Sequence, residues 1–585
     1  MKTDTRKLFK GNTFLRIQII ILFLMLIVGF LEFRNYGISW DENTQRNSGV
    51  VFFKHLQDRL SLHLVEIPSP VPKLEEYRDK EFGAIYEVFI FALERIFGFR
   101  DYREVFLFRH LINFIFFWFG VLVFSSIIRN RFQKDYFPII GCLILFLHPR
   151  IFAESFYNSK DIILMVFFIF SFRLFILFNE TWKFKHAFLL ALISALAFNI
   201  RPVGILIPIL SVFLLLPAAI RLRIKEKKWN RLISLFVLVS CFLLFAWITN
   251  PYLWDHPFEK SLQIITKFLK YDVSHTAGNM FFLGNYLPTN DLPWFYLPLW
   301  ITITTPIVYL IFFIVGLIIA LIKCLAIQRK WLLDSENRMI FFLSGWLGLP
   351  LCAAVFFHST LYDGWRHFYF LWPAIVFFSV YGLDGLISMK IKNIPEKYGK
   401  QIKLLFLAII LSALSVNVLY NYRWKSHQYC YFNFLAPEPE ANFEIDYWGL
   451  SYKDGLDYLI KNDTSDLIRI QVLNLPGYLN SFLLEPAVRK RIYYHYSLRE
   501  NYSSRIESFY PFQTEANFMK PGEGAHYYIS NFRDTSDPEE IKKYRSGKPP
   551  YINQKFSCRV DGNEILGIYE LQSGAVLMMN RKPFP

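Results

Sequence analysis

The residues that can do chemistry fall in a few short stretches of the sequence. Trp40-Asp41-Glu42 places two adjacent carboxylates just beyond an apolar run. Charge held near lipid is costly and so points to function. One carboxylate can take a proton from an attacking hydroxyl or hold a divalent cation, and the other can tune it; the same pair would also serve as a solvated helix cap. A second stretch carries His148-Pro149-Arg150, Glu154 and Lys160-Asp161. Lys160 and Arg150 can hold a phosphate whose charge grows as a bond to it breaks, which needs fixed positive groups and no proton donor. A helix start capped by Asn158 or Ser159, with a snorkelling lysine, explains Lys160 but gives His148, Arg150 and Glu154 no role. Arg201 precedes Pro202, and Arg366-His367 follows Tyr362-Asp363-Gly364-Trp365. Each of these arginines either anchors a helix end at lipid headgroups or lines a site for an anion.

The elements that must position these residues are apolar. Of the 585 residues 54% are hydrophobic, 19% aromatic and only 19% charged, against about a quarter charged in soluble chains. That composition excludes disorder, collagen-like repeats and a small disulfide scaffold and identifies a membrane protein. A span needs about 20 apolar residues. Eleven stretches qualify or nearly qualify: 15–33, 105–128, 137–152, 162–178, 186–200, 203–220, 232–249, 295–322, 340–357, 368–387 and 404–420. The third, fifth and sixth are short or tightly joined. Of the six cysteines, only Cys430 and Cys558 lie in the polar part, where they can pair.

The net charge of +16 would suggest nucleic acid in a soluble protein. Here it follows the membrane. Lys2, Arg6, Lys7 and Lys10 flank the first span, and every alternate loop is basic: Arg129, Arg131 and Lys134; Lys183 and Lys185; Arg221 to Arg231; Lys323, Arg329, Lys330 and Arg338; Lys390 to Lys403. The positive-inside rule then puts the N-terminus in the cytoplasm and the C-terminal part in the periplasm or outside the cell. No nucleic-acid partner is expected, because the soluble part lacks a basic face interleaved with aromatics. The same count sends nearly all the acid, base and cation residues of the first-named stretches, with Asp255-His256, to the outer face, where an active site is therefore expected.

The first outer loop, 34–104, is long enough to hold structure of its own. Within it 82–98 reads as an amphipathic helix in the membrane interface, with Glu87 and Glu94 one heptad apart. Residues 1–420 form the expected transmembrane domain and 421–585 a small α/β domain outside the membrane. That domain has strands at 467–475, 491–496, 525–532 and 556–571, the last folded back at Asp561-Gly562, and helices at 454–461 and 479–490.

The sequence has no Walker loop, dinucleotide fingerprint, HExxH or zinc-spaced cysteine pair. Its activated group must then come from something carried in the membrane. At this point Asp41-Glu42 after the first span, His148-Pro149 to Lys160-Asp161, and Arg201-Pro202-Val203-Gly204 together resemble the GT-C glycosyltransferases. The similarity is to the family 39 branch of protein O-mannosyltransferases and aminoarabinose transferases, by motif over roughly the first 220 residues and by architecture beyond.

The resemblance implies a polytopic helical fold and inverting transfer of a sugar from a polyprenyl-phosphate donor to a hydroxyl or amine of a lipid, glycan or protein acceptor. It makes Asp41 the general base and Glu42 its partner. Lys160, Arg201, Arg366 and Arg150 become the donor-phosphate ligands, with His148, Glu154, Asp161 and His367 in support. Members with and without a divalent metal exist; if magnesium or manganese binds, Asp41 with Asp161 or Glu154 are the candidate ligands. Asp446-Tyr447-Trp448-Gly449 has the residue types of the oligosaccharyltransferase Trp-Trp-Asp motif in another order, and reads instead as an aromatic lid ahead of a capped helix. Nor does the tail look like the β-trefoil of eukaryotic protein mannosyltransferases. The alternative is a polyprenyl-phosphate-lipid transporter or flippase, which predicts midplane charges and repeated halves. A polymer ligase would need a long outer loop in mid-chain.

Overall fold

The computed structural model describes residues 5–62, 64–65, 67, 71–99, 101–227, 229–269, 279–326, 334–389, 396–498, 517–533 and 538–571. Lys2, Lys228, Arg329, Lys330, Lys390 and Lys392 lie outside them. The protein is a polytopic bundle of apolar helices carrying a small C-terminal α/β unit. Nine of the described helices are long and apolar enough to cross a membrane, or up to ten with the bent pair Phe137–Leu147 and Pro149–Tyr157. Phe184–Ile200 is a shorter apolar helix. All eleven apolar stretches are helical, with two corrections.

Both corrections come from proline. The third stretch is not one rod: it bends by 66° at His148. Pro149 has no N–H to continue the ladder and pushes His148 into extended backbone. The His148 ring then accepts the amide of Ile151 at 3.4 Å, capping the second half. Likewise 295–322 divides into Tyr296–Thr304 and Ile307–Ala326 around Thr305 and Pro306.

Connectivity gives the bundle two dissimilar ends. At one, Arg131 pairs with Glu336, Lys134 lies 3.2 Å from Asp384, and Arg338 donates to Asn179 at 2.6 Å. Arg131, Lys134 and Arg338 belong to the basic loops. The other end receives the residues 34–62, the Arg201 turn, the 357–366 segment and the C-terminal unit.

Helices Ile307–Ala326 and Trp372–Ser388 cross almost backbone to backbone. A Cβ added to Gly382 would stand 2.1 Å from the Phe312 carbonyl oxygen, and one on Gly316 1.9 Å from that of Phe378. Small residues permit such approach, which packing alone must reward because lipid is as apolar as leucine. Gly382→Ala is expected to cost about 1–3 kcal/mol by forcing two backbones apart, read as a lower melting temperature in detergent. Gly348→Ala, where an added Cβ meets nothing within 4 Å, is expected to melt like the wild type. Equal melting of both variants would remove the close crossing.

Residues 82–98 supply the helix Ile85–Phe97, ended by Gly98 at φ 69°, a left-handed cap that suits glycine. Its faces are reversed relative to a soluble helix. Glu87 and Glu94 point inward, where Arg109 pairs with both and Arg46 reaches Glu94 at 3.0 Å, while Ile96 and Phe97 are exposed. The partners come from the helices Glu42–Arg59 and Tyr102–Arg131.

Among the described residues the C-terminal sheet has six strands. Ile468–Val472 pairs in parallel with Ile492–Tyr494 and with Tyr527–Ser530, and Ile492–Tyr494 continues to Asn517–Phe518. Tyr527–Ser530 then pairs antiparallel with Asn563–Glu570, which forms a hairpin with Gln554–Val560 around Asp561-Gly562. Tyr452–Asn462 is helical as expected, but 479–490 breaks into the short pieces Pro476–Leu479, Asn480–Leu483 and Pro486–Arg489. Cys430 and Cys558 are both free thiols.

The unit docks through a shared apolar core that includes Ile38, Tyr102, Phe106 and Phe482. Asn480 clamps the loop after the first span, accepting from Ile38 N at 2.9 Å and donating to Ile38 O at 3.0 Å. A Cβ at Gly37 would lie 2.3 Å from Asn480 Oδ1, so the clamp closes only over glycine.

Candidate functional site

That clamped loop delivers Asp41 to the N-terminus of Glu42–Arg59. Its Oδ2 accepts from Arg366 Nη1 at 2.9 Å. Arg366 starts another apolar helix, and its fork also reaches Asp363 Oδ2 at 3.0 Å and lies 3.5 Å from Asp161 Oδ2. Asp161 is in turn bound by Arg201, through Nε at 2.8 Å and Nη2 at 2.5 Å. Pro202 sets this last contact by holding Arg201 extended at φ −145°, ψ 139°, at the end of Phe184–Ile200. Four hairpins distant in sequence thus meet in one network.

The network is locked from below and roofed from above. Asn158 Oδ1 accepts from the amides of Asp161 at 2.9 Å and Lys160 at 3.3 Å, capping the helix Asp161–Thr181. Its Nδ2 donates to Asp161 at 3.1 Å and Glu154 at 2.8 Å. Glu154 also accepts from the hydroxyls of Tyr369 at 2.6 Å and Tyr447 at 2.7 Å. The roof is Asp446-Tyr447-Trp448. Arg366 stacks 4.6 Å from the Trp448 ring, Trp448 O accepts from Trp40 N at 3.1 Å, and Asp446 caps the next turn through Gly449 N at 2.8 Å. The segment is the aromatic lid its sequence suggested.

Lys160 stands beside this network, its ammonium 4.4 Å from the centre of the Phe82 ring. Among the described residues no carboxylate lies within ion-pair distance of it. Burial first, and the nearby Arg201 next, bring its pKa down to about 8. Arg201 and Arg366 are committed to carboxylates, so Lys160 is the cation of this group best able to serve an incoming anion. His367 packs edge-on to Tyr362 at 4.6 Å, next to Arg366.

Other expected residues face elsewhere. Glu42 turns away from Asp41 to accept from Ser39 N at 2.6 Å and to meet His110 Nε2 at 2.8 Å. His148 is buried against Trp372 at 4.6 Å, with Thr305 at 3.5 Å. Arg150 donates to Tyr431 O at 2.9 Å and stacks 4.7 Å from Phe432.

As a metal site the three candidate carboxylates do not fit. Arg366 Nη1 lies between Asp41 and Asp161, where a shared cation would sit, and Glu154 is claimed by two tyrosines and an amide.

Sequence reasoning missed Arg533, which comes from the C-terminal unit to Asp363 at 2.7 Å and stacks 5.1 Å from Trp40. It missed Arg109 and His110 too, although two ionisable groups inside an apolar span were a usable signal.

No protein-family model and no curated protein matches the sequence. Among solved structures the chain is similar to ArnT from Cupriavidus metallidurans in the apo state, at 12% identity and a TM-score of 0.45, over 96% of this chain and 98% of that one. The same protein bound to undecaprenyl phosphate gives 12% and 0.43 over 95% and 98%. The apo oligosaccharyltransferase of Archaeoglobus fulgidus gives 10% and 0.45, over 81% of this chain and 64% of that chain.

Proposed function

We propose that the chain is an inverting glycosyltransferase that moves a sugar from a polyprenyl-phosphate donor to an acceptor hydroxyl or amine. It works at the outer face of the plasma membrane, with the N-terminus cytoplasmic, residues 1–420 in the membrane and 421–585 outside. The observation that carries this reading is the meeting of Asp41 with Arg366, Asp161 and Arg201, next to an uncommitted Lys160. A base and a phosphate-binding cation at one end of an apolar bundle suit a reactant whose lipid stays in the bilayer.

In the step we infer, the acceptor heteroatom attacks the anomeric carbon as the bond from that carbon to the phosphate oxygen breaks. Asp41 takes the acceptor's proton. The electron pair of the broken bond stays on the polyprenyl phosphate, whose added charge Lys160 and the outer edge of Arg201 stabilise. Arg366 holds Asp41 in place, and Arg533 ties the lid to the same site.

The test is to incubate purified protein with a panel of polyprenyl-phosphate sugars, with and without chelator, and to detect released polyprenyl phosphate. Release that depends on Asp41 supports the reading; no release from any donor favours the transporter.

Lys160 adds a pH signature. Below about 8 its amine is protonated and attracts the donor phosphate; above, it is neutral. The kcat/KM for donor is therefore expected to fall as pH rises through about 8. Lys160→Arg, charged throughout, is expected to lose that alkaline limb. A wild-type profile flat across this pH would take Lys160 out of donor binding.

A further inference from the structure

Outside the carboxylate and guanidinium network, a second group of reactive side chains gathers where the last apolar helix meets the sheet. His427 follows the end of Glu396–Arg423, Asp454 lies in the helix Tyr452–Asn462, and Cys558 lies in the strand Gln554–Val560. His427 Nε2 is 2.5 Å from Asp454 Oδ2 and 3.8 Å from Cys558 Sγ, and Sγ is 3.9 Å from that Oδ2. One nitrogen, one oxygen and one sulfur thus face a common point from separate elements.

The geometry separates a cation site from a nucleophile. An activated cysteine needs its histidine between thiol and acid, one on each ring nitrogen. Here both partners crowd the same nitrogen, and among the described residues the buried Nδ1 has no hydrogen-bond partner. Tetrahedral zinc binds nitrogen and oxygen at about 2.0–2.1 Å and sulfur at about 2.3 Å. Those bonds hold the nitrogen and oxygen roughly 3.3 Å apart and the sulfur roughly 3.5 Å from each. The triangle reaches that shape if the nitrogen and oxygen separate by less than about 1 Å and the sulfur closes by a few tenths. His427 is almost fully buried, while Asp454 is a third exposed, so water can reach the triangle from the Asp454 side.

We infer that His427, Asp454 and Cys558 form a site for a zinc-class divalent cation, with water as fourth ligand, that staples the last helix to the C-terminal sheet. Loading of this site is read without any measurement of glycosyl transfer.

The full chain, stripped with chelator in detergent, is titrated with cobalt(II) and then with zinc. One cobalt per chain with a thiolate-to-cobalt absorption band, displaced by zinc, is expected. Cys558→Ser is expected to lose the band, and Asp454→Asn to weaken binding at least about tenfold. In case the variants do not fold, the wild type is alkylated with and without one equivalent of zinc, and Cys558 is followed by peptide mass spectrometry. Zinc is expected to protect it. Absence of the band in the wild type, its persistence in Cys558→Ser, or alkylation unaffected by zinc would each overturn the site.

Discussion

Asp41→Asn is expected to lower glycosyl transfer by about 10²–10⁴-fold, the usual worth of a positioned base, while the protein still folds. The substitution keeps the shape of the side chain, and an amide oxygen can still accept from Arg366, now at 2.9 Å. Asp41 is a third exposed, so little of the fold rests on its charge. What disappears is the capacity to take a proton. The measurement is polyprenyl phosphate released at saturating donor, beside the melting temperature of both proteins. Full turnover in the variant would remove Asp41 from the base role. Glu42→Gln is the informative contrast, since the Glu42 carboxylate serves Ser39 N and His110. Its effect should fall on melting rather than on the rate at saturation.

The contrast between Asp41 and Glu42 marks the limit of what the sequence can express. Two adjacent carboxylates announce a special place, but which one faces the site depends on the turn that begins Glu42–Arg59, and that turn is fixed by Asn480 and Trp448 from more than 400 positions away. Apolar runs were legible because each needs only its own residues to span lipid. The breaks at Pro149 and Pro306 were legible only in part, since proline is also tolerated inside Leu206–Glu226 and Ser335–Phe356; packing decides between kink and break. For Ile85–Phe97 the period revealed two faces without saying which meets protein, because in lipid the apolar face can be the outer one. Arg533 carried no local signal at all. It lies in the C-terminal sheet unit and acquires meaning through Asp363, 170 residues earlier, and through Trp40.

Arg366 is where these long-range placements converge, and Arg366→Leu is expected to lose donor turnover almost completely while costing stability only moderately. Removing one partner of a buried ion pair ordinarily costs about 3–5 kcal/mol, because a charge is left without compensation. Here the two most buried carboxylates keep a second guanidinium: Asp161 retains Arg201 at 2.5 Å and Asp363 retains Arg533 at 2.7 Å. The loss then reduces to hydrogen bonds between groups that stay partly satisfied, about 1–3 kcal/mol, read as a lower melting temperature. Asp41, a third exposed, loses its Arg366 bond as well, and its position is what the proposed step needs. Arg366→Lys should recover part of the melting temperature, since it restores the charge, but little of the turnover, because one ammonium cannot reproduce a planar fork across Asp41 and Asp363. If Arg366 acts by holding Asp41, then Asp41→Asn and Arg366→Leu together should be no slower than Asp41→Asn alone, as for residues that work as one unit. Multiplied losses would instead mean that Arg366 contacts the donor on its own account, with the lysine variant then showing a raised KM for donor rather than a lowered kcat.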